Sequence, residues 1–179
     1  MASQLERILT ADYLGDLEHR GMDEVRAMRA ECQGLETGLS YLRRMVQGRL
    51  DIVGVELQRR RDGGDPADLS ELVGRLPEIL ADRTRMPGFG RLPQTMAPGE
   101  MDIDAELEAE LDDIVSGHDV ETLSTISDDE LTEVRQRLEQ LEHDVSARRR
   151  ELFDRIDALQ AEITRRYRTG EASVETLLQ

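Results

Sequence analysis

The chain has 179 residues, of which 39 are acidic and 23 basic, giving a formal net charge of −16; it contains two Phe, three Tyr and no Trp. So few aromatic residues exclude a large aromatic core, and a charged fraction of 35% favours long helices packed along narrow seams over a compact α/β enzyme. The negative charge disfavours general DNA or RNA binding, because phosphates would be repelled over the whole surface.

No apolar run approaches the roughly 20 residues needed to span a bilayer. No signal-peptide pattern is present, and Cys32, the one cysteine, cannot make an internal disulfide. The expectation is a cytoplasmic protein without membrane contact. Every basic residue is Arg, with Lys and Asn absent; GC-rich codon usage accounts for this better than a demand for guanidinium chemistry.

In chain order, residues 1–22 are expected to hold a short helix over 5–19, followed by Gly21 and a capping Asp23. The first long helix is expected over 23–62. Its seam is Val25, Met28, Cys32, Leu35, Leu39, Leu42, Val46, Leu50, Val53 and Leu57. Arg59, Arg60 and Arg61 occupy its last turn, where cations suit the negative helix end, and Gly63, Gly64 and Pro66 stop it. Gly34, Gly38, Gly48 and Gly54 interrupt this helix, each at about 0.8–1 kcal/mol relative to Ala, unless partner or ligand atoms approach there.

Residues 63–126 read as a connection. It contains a short helix over 69–82, a Pro/Gly-rich loop from Met86 to Gly99, and an acidic segment. From Glu100 to Asp113 that segment has eight acidic residues and no basic one, with Leu107, Leu111 and Ile114 on one face. It is either a solvated helix or an amphipathic acidic helix for a basic partner.

The second long helix, over 127–168, opens on the capping-box match Ser127-Asp-Asp-Glu130. Leu131, Val134, Leu138, Leu141, Val145, Arg148, Leu152, Ile156, Leu159 and Ile163 form its seam, with an arginine in one seam position. A tail over 169–179 follows. The fold class is all-α: a long antiparallel two-helix coiled coil with short additional helices in the connection and at the N-terminus.

One polar stripe occurs twice. Glu36, Ser40, Arg43, Gln47 and Asp51 are echoed 106 residues later by Glu142, Ser146, Arg149, Phe153 and Asp157, with Phe153 in place of the glutamine. Leu35/Leu141, Arg44/Arg150 and Arg49/Arg155 match as well. At about 100° per residue each set falls within an arc of roughly 80°, one residue past the seam. Antiparallel pairing would bring the stripes together across a pseudo-two-fold axis near Arg43 and Arg149, with Glu36 toward Asp157 and Asp51 toward Glu142. Glu and Arg beside a coiled-coil seam commonly supply only solubility and modest ion pairs. Serine recurring in register at mid-helix is harder to dismiss, since it is a mediocre helix former.

Arginine offers a bidentate fork to guanine O6/N7 or to phosphate, carboxylates accept from guanine N1–H and N2–H, and Ser or Gln bonds phosphate, ribose or base. The set suits a guanine nucleotide, and two-fold placement suits a two-fold ligand such as cyclic di-GMP. Four carboxylates burden an anion site, so the arginines must neutralise the phosphates; Arg44, Arg148 and Arg150 stand close by.

The pattern E-x3-S-x2-R-x3-Q-x3-D on each of two long antiparallel helices resembles the signature of the RsiG family, actinobacterial anti-sigma factors that bind cyclic di-GMP. The resemblance covers both long helices; the motif is complete in Glu36, Ser40, Arg43, Gln47 and Asp51, and four-fifths matched in the second copy. It implies sequestration of a sporulation sigma factor of the WhiG, flagellar-type class when two intercalated cyclic di-GMP molecules occupy the coiled coil. The ligand would be a regulatory signal, with no chemistry performed on it and no metal involved. Phe153 puts one polar contact in doubt; an aromatic ring there would stack or pack instead.

No catalytic apparatus is legible. His19, His118 and His143 are scattered, and Glu142, His143 and Asp144 diverge by about 100° per residue and cannot chelate together. Met86-Pro-Gly-Phe-Gly90 lacks the Gly-Lys-Ser/Thr of a phosphate-binding loop. Cys32 sits on the seam as a small hydrophobe. Two alternatives stay open: a coiled-coil scaffold or adaptor that binds no nucleotide, and a homodimer that pairs motifs between chains.

Overall fold

The computed structural model describes residues 3–63, 104–116 and 120–171, and every regular element among them is helical. The helix expected at 69–82, the loop at 86–99, residues 100–103 of the acidic segment, the turn at His118 and the tail from 172 lie outside the described residues. The helices are α1 (Gln4–Leu9), α2 (Met22–Arg61), α3 (Ala105–Val115), α4 (Val120–Leu123) and α5 (Asp128–Thr169), with 3-10 turns at Ala11–Leu14 and Leu17–His19.

Two compact units share the long helices. The first takes the described residues up to Tyr41, Asp104, and those from Val145 onward; the second takes Leu42 onward and Ala105 to Asp144. Within each unit α2 and α5 run antiparallel. In the first, Arg26 bonds the Tyr167 hydroxyl and Glu36 pairs with Arg149. In the second, Arg43 pairs with Glu142 and Arg60 with Asp128. The apolar seams explain the pairing, since their positions from Val25 to Leu57 and from Leu131 to Ile163 are buried, apart from half-buried Leu50 and Arg148.

Local chemistry sets the boundaries. Ser127 Oγ accepts the Glu130 amide at 3.2 Å, the N-cap bond its sequence called for. Gly63 and Gly170 follow the long helices at φ of 71° and 77°, the left-handed geometry that glycine adopts without a Cβ clash. Asp23, expected as a cap, lies inside the first turn of α2 and pairs with Arg26; the helix begins at Met22, with the Gly21 carbonyl accepting the Val25 amide at 3.1 Å.

The single helix expected over 5–19 is broken. A reciprocal capping box between Ser3 and Glu6 starts α1, and extended Thr10 ends it while its hydroxyl donates to the Arg7 carbonyl at 2.8 Å. That side-chain bond takes a carbonyl which the next helical turn would use. Asp16, at φ 55°, turns the chain again. The break lets Leu5, Ile8 and Tyr13 reach the core, and Glu31 becomes their polar anchor: it accepts from Gln4 at 2.9 Å, from Tyr13 at 3.0 Å, and pairs with Arg7. α1 also explains the arginine in the seam, because Leu5, Glu6, Leu9 and Thr10 line a cleft with Arg148.

The acidic segment resolves into α3, whose Leu107, Leu111 and Ile114 are buried while Glu106, Glu108, Glu110 and Asp112 face solvent. Its apolar face is therefore already spent within the second unit, and only its charged face remains exposed. Asp113 pairs with Arg137 on α5 at 2.7 Å.

Candidate functional site

The two polar stripes meet chemistry from the opposite helix in each unit. In the first unit Glu36 Oε1 accepts from Arg149 Nη2 at 2.9 Å, from Arg149 Nε at 3.3 Å and from the Ser40 hydroxyl at 2.6 Å. The Arg149 guanidinium carbon lies 5.5 Å from the centroid of the Phe153 ring. One arginine is thus held between a carboxylate and an aromatic face. In the second unit Glu142 Oε1 accepts from Arg43 Nε at 2.8 Å and from the Gln47 amide at 3.1 Å.

The same interhelical Arg–Glu contact is therefore made in each unit, with the long helices exchanging roles. The difference between them is the substitution that the sequence flags: Gln47 adds a hydrogen bond to Glu142, whereas Phe153 adds a ring beneath Arg149. Glu36 is held by Arg149, and Glu142 by Arg43 and Gln47.

Side-chain exposures of 20% for Arg149, 15% for Glu36, 36% for Arg43 and 24% for Glu142 leave both pairs accessible from solvent. Such partly exposed pairs contribute modestly, on the order of 1 kcal/mol, so an incoming anion or hydrogen-bonding base can compete for them. Asp51 and Ser146 are half-buried on their helices, and Asp157 is exposed on the wall of a shallow groove with Gln160, Thr164 and Arg168.

Beyond the stripes, a second set of clustered polar residues is not evident from the sequence pattern. Glu56 is 5% exposed and accepts from Arg59 at 2.6 and 2.7 Å and from Arg60 at 2.8 Å; Arg60 also donates to the Leu123 carbonyl at 2.7 Å. Glu162 repeats this with Arg165 at 2.8 and 2.9 Å and Arg166 at 2.6 Å, and Arg166 donates to the carbonyls of Leu17 and Arg20. The hydrogen bonds from these arginines hold both carboxyls below the ordinary carboxylate range, Glu162 at about 2.

The offset between these sets is again 106 residues: Glu56/Glu162, Arg59/Arg165, Arg60/Arg166 and Leu17/Leu123. Leu5 and Ile8 of α1 correspond likewise to Leu111 and Ile114 of α3, and the Arg7–Glu31 pair to Asp113–Arg137 with its signs exchanged. Carrying the constant offset outward from the stripe would have exposed this larger repeat. In each unit a short helix thus packs by the same two apolar positions, and an arginine from the end of a long helix grips the carbonyl of the same leucine position.

Arg155 breaks the correspondence. It donates to the carbonyls of Ile8 and Leu9 at 2.6 Å each and of Thr10 at 3.4 Å, satisfying the C-terminal end of α1. Its counterpart Arg49 makes no such bond among the described residues.

Cys32 is buried beside Tyr13, and burial pushes its thiol up, as expected for a packed rather than a reactive cysteine. Among the described residues no helix is long and apolar enough to cross a membrane.

A family model described as RsiG-like matches residues 11–80 and 117–179, most of the chain including both polar stripes. None of the curated proteins matches the chain. Membership of that family points to an anti-sigma factor role and to a sigma factor as partner. On the extent of this match, the chain belongs to the RsiG-like family.

Proposed function

We propose that this protein is an anti-sigma factor controlled by cyclic di-GMP, and that it sequesters a WhiG-type, flagellar-class sporulation sigma factor when two nucleotide molecules are bound along its polar stripes. The observation that carries the reading is the duplicated stripe, whose arginines are each held by a partly exposed glutamate of the opposite helix. Each of those arginines reaches a carboxylate of the opposite helix. A phosphodiester or the O6/N7 edge of guanine can take over the fork, while the released carboxylate is placed to accept guanine N1–H and N2–H. A phosphodiester adds a charge that the displaced carboxylate does not remove, so nearby arginines such as Arg148 and Arg150 must offset it.

In this account the ligand is a signal. It bridges α2 and α5 at both stripes, restricts their separation and register, and favours the conformation that the sigma factor recognises. By linkage the sigma factor must then tighten nucleotide binding by the same factor. No chemistry is performed on the nucleotide, no metal is required, and the complex forms in the cytoplasm. The solvent-facing acidic side of α3 supplies a surface for basic, promoter-facing parts of the sigma factor.

The test is size-exclusion chromatography of the protein with a purified flagellar-class sigma factor, with and without cyclic di-GMP. Nucleotide should strengthen the complex at least tenfold. A complex of equal affinity without nucleotide would favour the scaffold reading, and no complex in either condition would remove the anti-sigma assignment.

A further inference from the structure

The part of α2 in the second unit has a second apolar row, distinct from its seam. Met45, Gly48, Ile52 and Val55 follow one another at spacings of three, four and three. At about 100° per residue the row lies roughly 130° around the helix from the seam positions Leu42, Val46, Val53 and Leu57, and on the other side of that seam from the polar stripe. Met45 is 41% exposed and is the one large hydrophobic side chain exposed among the described residues. A Cβ added at Gly48 would meet nothing within 4 Å, and Ile52 and Val55 are half-buried.

The internal repeat shows that the fold does not require this row. The corresponding α5 positions are Glu151, Asp154, Ala158 and Ala161, three of them exposed and none larger than alanine unless charged. One copy is therefore solvated at the places where the other is apolar. Isolated surface hydrophobes need no explanation, but a heptad-spaced row that its own repeat lacks does.

Charge selects the occupant. Arg44 and Arg49 border the row on either side, in the flanking positions that set partner choice in a coiled coil, and neither has a carboxylate partner among the described residues. In a chain of net charge −16 this is a local positive frame around an apolar strip. Asp51 also borders it but belongs to the polar stripe, and Glu56 is held by Arg59 and Arg60. A second copy of this chain would set Arg44 and Arg49 against themselves. The acidic α3 has already buried its apolar face.

We infer that the Met45–Gly48–Ile52–Val55 row is a docking surface for an amphipathic helix of the sigma factor that has carboxylates beside its apolar side chains. This rests on the anti-sigma reading above. Gly48 admits a close approach of the incoming helix, and the arginines fix its register.

The experiment measures the affinity of the full chain, saturated with cyclic di-GMP, for the purified flagellar-class sigma factor. Met45→Glu is expected to weaken the complex at least tenfold, and Arg44→Glu with Arg49→Glu to weaken it similarly and reduce its salt dependence. Helical circular dichroism should be unchanged in both variants, and nucleotide titration unchanged in Met45→Glu. Glu151→Lys, at the matching place on α5, is the control and should bind as wild type. Wild-type affinity in Met45→Glu and in the double arginine variant overturns the inference, as does wild-type self-association that Met45→Glu abolishes. A wild-type chain that binds no sigma factor at saturating nucleotide would instead sink the anti-sigma reading itself.

Discussion

Replacing Glu162 by Gln isolates one of the two arginine-clamped carboxylates that fasten the ends of the long helices. The Glu162 side chain is 10% exposed and that of Arg166 7%, so this part of the cluster is shielded from water, whereas Arg165 at 40% is not. Moving the carboxyl from its ordinary value of 4.5 to about 2 corresponds to an upper bound of about 3 kcal/mol at neutral pH. Discounting for the exposed Arg165 gives a loss of about 2 kcal/mol on substitution. Because the folded pKa is depressed, the contribution is fully present above about 4.5 and is lost as pH falls toward about 2. Denaturant unfolding of wild type and Glu162→Gln at pH 7, 4 and 3 should therefore show a difference that shrinks with acid. A difference below about 0.5 kcal/mol at pH 7, or one unchanged at pH 3, would refute the reasoning.

Removing the Arg155 guanidinium, as Arg155→Met, leaves the α1 carbonyls of Ile8, Leu9 and Thr10 without their donor; local opening should become about 1–3 kcal/mol easier, read as faster amide exchange over residues 4–14 with little change in α3. Gly48→Ala should stabilise the free protein by about 0.5–1 kcal/mol in thermal unfolding, since nothing stands within 4 Å of the added methyl; destabilisation would show that the glycine serves the fold after all. Phe153→Gln completes the second motif and should preserve two-site nucleotide binding while making the two sites more alike in calorimetry; loss of one site would show that the ring beneath Arg149 is indispensable.

The periodic parts of the fold were legible because burial enforces them. Both long helices follow from apolar residues at threes and fours, and Ser127 supplies its cap as its spacing demands. Short-range competition was not legible in the same way. The end of α1 depends on a Thr10 hydroxyl bond and on an arginine almost 150 residues away, neither of which leaves a periodic trace. Arg59 and Arg60 illustrate a different loss. As basic residues in a last helical turn they looked sufficiently explained by the helix dipole, yet Glu56 sequesters them in a buried cluster. Within the polar stripe, phase relative to the seam was readable from spacing. The pairing of each arginine with the opposite glutamate was not, because it depends on how far long side chains reach between helices.

The central claim is most directly tested by calorimetric titration of the full chain with cyclic di-GMP, comparing wild type with Arg43→Ala and Arg149→Ala. The account predicts saturation at two nucleotides per wild-type chain and loss of binding in both variants, with helical content retained. A folded wild-type protein that gives no binding heat, or alanine variants that titrate like wild type, would contradict it.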